Sequence, residues 1–218
     1  MSVTLSERLR PVWFPPYALT IETARRLRGR TFLLDGREHR YFTHRYNETW
    51  RNERSVEIPL ALEVLRGRTL ELGNVLAHYG VHGQVVVDKY EEAPGVHNVD
   101  IVDFDTDLRF DTIVSISTIE HVGFDEDLKD EAKPRRAVAR LKELLAPGGT
   151  LFVTLPLGYN PGVDVLVAPG AGVFDEVRYL KRSADFTTWA QAEWEDVRGC
   201  VYDPERAATA LAVCTARR

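Results

Sequence analysis

The sequence predicts a doubly wound α/β fold, on three observations. From Thr69 onward, short apolar runs alternate with amphipathic segments, the pattern of strands and covering helices in a parallel sheet. One run ends in Glu71-Leu-Gly73, and the next ends in Asp88. A glycine at one strand end and a carboxylate at the next is how such folds hold a nucleoside. The glycine lets backbone approach the ligand, and the acid accepts hydrogen bonds from ribose hydroxyls.

Before that core, residues 1 to about 30 carry Pro11, Pro15 and Pro16, then a short amphipathic stretch from Ile21 to Leu27. Arg25, Arg26, Arg28 and Arg30 read either as the solvated face of that stretch or as a local basic patch. Thr31 to Phe42 reads as two extended segments around an Asp35-Gly36 turn. The following stretch to Arg54 is dense in aromatics, amides and charges, and has two readings. It is a solvated helix start capped by Asn47, or the lid of a polar-aromatic pocket built from Tyr41, His44, Tyr46, Asn47 and Trp50. Val56, Leu60, Val64 and Leu65 then recur at helical spacing up to Gly67, with Pro59 kinking the run or opening its second half.

Strands are expected at Thr69–Leu72, Gln84–Asp88, Val99–Phe104, Asp111–Ser117 and Gly149–Leu155. Ala137, Val138, Leu141, Leu144 and Leu145 form a helical stripe that stops at Ala146-Pro-Gly-Gly149. Pro156 to Gly162 is a turn-rich loop beyond a strand's C-terminal end, where α/β proteins bind ligands. Phe174–Leu180 and Thr187–Glu193 read as strands, and Ala207–Thr215 as a final core strand with helix the alternative for its start.

The formal charge of −5 speaks against a nucleic-acid surface that relies on bulk positive potential. Cys200 and Cys214 make neither a disulfide framework nor a metal cluster. The polar start is unlike a secretory signal, and no apolar run is long enough to cross a bilayer. The expectation is a cytoplasmic protein whose partner is a small molecule, with no nucleic acid and no membrane.

Four pieces in this order, Glu71-Leu-Gly73-Asn74, Val87-Asp88, Val99 to Asp103 with Phe110 to Val122, and Leu144 to Val153, resemble the class I S-adenosylmethionine-dependent methyltransferases. The likeness covers residues 69 to about 161, and the chain as a whole is similar to small bacterial enzymes that tailor saccharides and secondary metabolites. It implies a Rossmann-like, mostly parallel seven-stranded sheet with helices on both faces over residues 69–218. Residues 1–68 would be an N-terminal helical and hairpin extension that builds a lid, a homodimer interface or both. It also implies a methyltransferase that uses S-adenosyl-L-methionine and releases S-adenosyl-L-homocysteine. Glu71, Gly73 and Asn74 would face the cofactor's amino-acid end, and Asp88 would hold both ribose hydroxyls. Asp100, with Asp103 as competitor, would accept from the adenine amino group, while the Ile101 N–H reads the ring edge. Ser115 to Ser117 would bring the strand end against the methyl donor. The family usually has a second glycine where this chain has Val75, so the loop would approach the cofactor differently.

A sulfonium methyl is already electrophilic, so the acceptor's proton is what separates acceptor classes. A hydroxyl needs a general base or a metal. Glu120-His121 follows a predicted strand and suits that role, an imidazole oriented by a neighbouring carboxylate; capping or packing of the next helix start is the alternative. The pair also resembles part of the metal cluster of ubiquinone-type O-methyltransferases, which carries a further glutamate where this chain has Ser117; magnesium is a further cofactor expectation on that ground. His44 and His78 are reserve bases. His44, Tyr46, Asn47, Trp50 and, from the opposite side, Tyr159 would bind a sugar or other polyhydroxylated acceptor. A nitrogen or phenolic acceptor, or a non-catalytic cofactor-binding domain, are the alternatives; an NAD-dependent oxidoreductase would need the G-x-G-x-x-G turn, which is missing.

Overall fold

A computed structural model describes Leu19, Thr23, residues 29–205 and residues 207–218. The Ile21–Leu27 stretch apart from Thr23 lies outside them, as do Arg25, Arg26 and Arg28.

A hairpin opens the described chain, β1 (Thr31–Leu34) against β2 (Arg37–Arg40). Asp35 and Gly36 both take positive φ, 50° and 73°, as a two-residue hairpin turn matching strand twist requires. The main sheet has eight strands in the order β5-β4-β3-β6-β7-β10-β8-β9. Their ranges are β3 (Thr69–Leu72), β4 (Val85–Val87), β5 (Val96–His97), β6 (Phe110–Ile116), β7 (Leu145–Pro156), β8 (Glu176–Arg182), β9 (Trp189–Ala192) and β10 (Ala210–Arg217). Strands β3 to β7 are mutually parallel, and β10 runs antiparallel between β7 and β8. The doubly wound, mostly parallel sheet is as expected, and β9 adds an antiparallel eighth strand at its edge. Strand order reverses between β3 and β6, which opens a crevice at their carboxyl ends.

Both faces are covered. Helix α1 (Arg54–Val64) lays Val56, Ile58, Leu60 and Ala61 on Val114, Ile116 and Phe152 of β6 and β7. Helix α2 (Lys133–Glu143) covers the other face with Ala137, Val138 and Leu141 against Ile113, Leu151 and Val153. Each fully buried Val, Leu, Ile or Phe among these contributes about 1.5–3 kcal/mol. Phe32 and Leu34 of the hairpin belong to the same buried cluster as α1.

Pro59 sits inside α1 and cannot donate to the carbonyl of Ser55 four residues back. That carbonyl accepts from the Phe42 N–H at 2.9 Å, which ties the chain leaving the hairpin to the helix.

Three expectations change. Residues 99–104 form turns, with Asp100 Oδ1 accepting from the Val102 N–H and the Asp103 N–H donating to the Asp100 carbonyl; the short strand β5 lies just before them. Strand β7 begins at Leu145, and a register shift between Phe110 and Thr112 absorbs the Pro-Gly-Gly irregularity. Asn47 does not cap α1. It sits with positive φ in a 3₁₀ segment, Tyr46–Arg51, and Asn52 Oδ1 instead accepts from the Arg54 N–H. Among the described residues, no helix is long and apolar enough to cross a membrane.

Candidate active site

The loop after β3 is set by Gly73. Its φ is +87°, and a Cβ there would run into the Thr118 hydroxyl. Its N–H donates to the Val87 carbonyl at 2.9 Å and joins the ends of β3 and β4. Val75 has φ −78° and ψ −46°, ordinary right-handed backbone that needs no glycine for conformational reasons.

Glu71 lies buried beneath this loop and lines neither of the cavities described below. Its Oε1 accepts from the N–H groups of Val75 and Leu76 at 2.9 and 2.8 Å, and its Oε2 from Gln84 Nε2 at 2.9 Å. Its role is to hold the loop. Burial raises its pKa to about 7, against the pull of those hydrogen bonds.

A cavity of about 400 Å³ opens at the switch point, with Leu72, Val99, Ile101 and Val122 as apolar wall and Gly73, Asp88, Asp100 and Thr118 around it. Asp88 Oδ1 already accepts from the N–H groups of Tyr90 and Glu91 at 2.8 and 2.7 Å; its Oδ2 has no partner among the described residues. Asp88 therefore has Oδ1 engaged by backbone and Oδ2 open toward the cavity it lines. Asp100 Oδ2 is held by Lys133 at 2.5 Å and Lys89 at 3.1 Å, and Glu126 Oε2 binds the same lysines at 2.5 and 2.8 Å. Desolvation opposes ionisation of both acids, but the lysines outweigh it and hold both below the usual carboxylate range. Asp100 thus reaches the cleft already saturated with cationic partners. Asp103 is exposed and lines neither this cavity nor its neighbour.

An adjoining cavity of about 230 Å³ shares Gly73, Asp88, Glu91, Thr118 and His121 with the first and adds Tyr46, Asn47, Arg54, Asn74 and Ser117. Tyr46 stacks on His78, ring centroids 4.3 Å apart and planes nearly parallel, and meets Tyr79 edge-on. His44 accepts from the Tyr46 N–H at 3.1 Å and also meets Tyr79 edge-on. Asn74 Nδ2 donates to Glu91 Oε1 at 2.7 Å, and that oxygen lies 3.2 Å from His78 Nε2. Tyr46 and Asn47 border this cavity, while His44 and Trp50 line neither of the two.

His121 stands where the two cavities meet. Its Nδ1 is 2.5 Å from Asp125 Oδ2, which also accepts from the Tyr159 hydroxyl at 2.6 Å. The Tyr159 ring packs edge-on against the imidazole at 4.8 Å. Glu120, the expected orienting acid, is instead buried on the α1 side. Its Oε1 lies 3.8 Å from His121 Nε2 and its Oε2 has no hydrogen bond. Burial, reinforced by Glu57 and Glu53, raises the Glu120 pKa well above the ordinary carboxylate value. The carboxylate that contacts the imidazole is Asp125, which the sequence reading did not single out; the available signal was its spacing of four residues from the histidine. Asn160 binds the loop after β7 to this turn, donating to the Glu120 carbonyl at 2.9 Å.

Ser117 has φ 41° and donates to Glu57 Oε1 at 2.5 Å, while Glu57 Oε2 pairs with Arg54 at the same distance. The magnesium expectation finds no ligand set. Among the described residues no three His, Cys, Asp or Glu converge on a point, and the position of the further glutamate is the hydrogen-bonded Ser117.

No family model matches the sequence, and no curated protein matches it. Solved structures similar in fold include the N-methyltransferase NodS from Bradyrhizobium japonicum with S-adenosylhomocysteine, at 15% identity over 74% of this chain and 83% of that one, TM-score 0.41. An S-adenosylmethionine-dependent methyltransferase from Thermotoga maritima is 14% identical over 74% and 87%, TM-score 0.45. An amino pentose methyltransferase from Micromonospora echinaspora is 17% identical over 73% and 89%, TM-score 0.38. At this distance the likeness assigns no activity, and the cleft itself carries the functional reading.

Proposed function

We propose that the chain is an S-adenosylmethionine-dependent methyltransferase acting on a hydroxyl of a small polar acceptor, a sugar or other polyhydroxylated metabolite. The observation that carries this reading is the His121–Asp125 pair at the junction of a nucleoside-sized cavity and a smaller polar one. The residues present fit the cofactor. Apolar Leu72, Val99, Ile101 and Val122 suit a base, Asp88 Oδ2 suits a ribose hydroxyl, and the backbone at Gly73 permits close approach.

The bound cofactor would supply a sulfonium methyl group, with S-adenosylhomocysteine as product. The remaining work falls to this chain. Asp125 holds His121 through Nδ1, which leaves Nε2 to accept the acceptor's hydroxyl proton. Tyr159 donates to the same carboxylate and fixes the imidazole plane with its ring. Tyr46 and Asn47 border the acceptor cavity, where they exclude water and meet a hydroxylated ring. A cytoplasmic, reducing setting accords with two isolated free cysteines.

A second reading, an amine acceptor, draws on the excess of acid beside that cavity: Glu53, Glu57 and Glu120 against Arg54. Calorimetry with S-adenosylmethionine, S-adenosylhomocysteine and NAD tests the cofactor; binding of NAD alone overturns the proposal. Methyl transfer to a hydroxyl, lost in His121→Ala with cofactor affinity kept, supports the oxygen reading; products methylated on nitrogen move it to the amine.

A further inference from the structure

We infer that the acceptor extends past the methyl-transfer cleft and that a second cavity takes a further neutral, hydroxyl-bearing ring of it. This rests on the proposed methyltransferase reading. The second cavity, about 460 Å³, borders the same Tyr46–Arg51 segment, and Asn47 lines both it and the acceptor cavity. A second link runs through aromatic rings. Tyr159 meets His121 at 4.8 Å and Tyr202 at 5.1 Å, and Tyr202 lines the second cavity. The two spaces therefore share a border at Asn47, and a molecule with one hydroxyl at His121 meets the second space across it.

The wall there suits a sugar ring. Asn47 and Asn52 supply amides that both donate and accept, while Phe186 and Tyr202 supply aromatic faces. The wall is also held in place: Arg182 Nη2 donates to the Arg51 carbonyl at 2.6 Å and its guanidinium lies 5.1 Å over the Phe186 ring. Asn47 and Glu48 both keep left-handed backbone, φ 52° and 44°, with the Asn47 carbonyl accepting from Asn52 Nδ2 at 2.7 Å and Arg51 pairing with Glu48 at 2.9 Å. Non-glycine residues persist in that region only where their surroundings over-determine them.

Charge excludes the obvious competitor. Among the described lining residues, Arg51 and Arg182 face Glu48, Glu53 and Glu205. A phosphate or sulfate group needs a surplus of cationic donors, which this wall lacks. The ring is therefore neutral.

The test compares methyl glycopyranosides, the neutral disaccharides built from them and the corresponding sugar phosphates. Transfer of labelled methyl from S-adenosylmethionine reads turnover; saturation-transfer NMR with S-adenosylhomocysteine present reads binding ring by ring. The expected result is a kcat/KM for a disaccharide about tenfold above its monosaccharide, with signal on both rings. That ratio should collapse toward one in Phe186→Ala and in Glu205→Ala, the latter a guard against misfolding. Equal monosaccharide and disaccharide values, signal on one ring, a ratio untouched by both variants, or preference for a phosphate overturns the inference and leaves the methyltransferase reading standing. Failure of S-adenosylhomocysteine to bind in calorimetry overturns both.

Discussion

Replacing Asp125 by asparagine keeps the shape of the His121 partner and removes its charge. In the structure Asp125 Oδ2 lies 2.5 Å from His121 Nδ1 and accepts from the Tyr159 hydroxyl at 2.6 Å. An amide there can turn its NH₂ to Nδ1, which moves the imidazole proton to Nε2, the atom that must be free to accept. A hydrogen bond to a charged group contributes about 1.5–3 kcal/mol. The His121 and Asp125 side chains are 48% and 42% exposed, so solvent screening lowers the expected loss to about 1–2 kcal/mol. That is a roughly 5- to 30-fold fall in kcat. The S-adenosylhomocysteine Kd should not change, because Asp125 does not line the nucleoside cavity. Steady-state methyl transfer gives kcat, calorimetry gives Kd, and a long-range ¹H–¹⁵N spectrum of the histidine ring reports which nitrogen carries the proton. Unchanged kcat with the proton shifted to Nε2 would refute the assignment of His121 as base.

Asp88→Ala should weaken S-adenosylhomocysteine binding by about 1.5–3 kcal/mol, one carboxylate oxygen's worth of hydrogen bonding; an unaltered Kd in calorimetry would remove Asp88 from the ribose. Glu71 gives a pH dependence of known sign. Its folded pKa of about 7 lies above its ordinary 4.5, so the unfolded chain releases the proton first and stability falls as pH rises from about 4.5 to about 7, then levels off. In Glu71→Gln urea midpoints should lose that decline, with Gln84 turning its carbonyl toward the new amide; a persisting decline would place its source elsewhere. Lys133→Met strips Asp100 and Glu126 of their closest cation. With Lys89 still in contact the cost should be about 1–3 kcal/mol, a drop of roughly 2–12 °C in Tm by calorimetry; a variant as stable as the parent would show the network to be neutral.

The strands and their ends were legible because a sheet buried on both faces writes itself as near-continuous apolar runs, β6 most plainly. The stretch from residue 99 misled for the same reason. Ile101 and Phe104 are buried like strand residues, yet their backbone is held by turn bonds from Asp100, and apolar pattern reports burial without reporting hydrogen-bond partners. Gly73 and Asp88 could be placed beside the cavity because strand ends fix where they stand. The partners of Glu71, Asp100 and Glu120 were not, since each is decided by neighbours that sequence does not order: the amides of Val75 and Leu76, the amine of Lys133, the burial beside α1. Glu120 and His121 are adjacent in sequence and so diverge in space, whereas Asp125 is brought round to the ring.

Pro59 links the hairpin exit to helix α1 through one backbone hydrogen bond. The Ser55 carbonyl has no helical donor, because residue 59 carries no N–H, and it accepts from Phe42 instead. The coupling is reciprocal: the wound helix presents that carbonyl to Phe42, and the docked Phe42 favours the wound helix by the same free energy. Protection of the Phe42 amide proton in hydrogen exchange therefore reports whether hairpin exit and helix are joined.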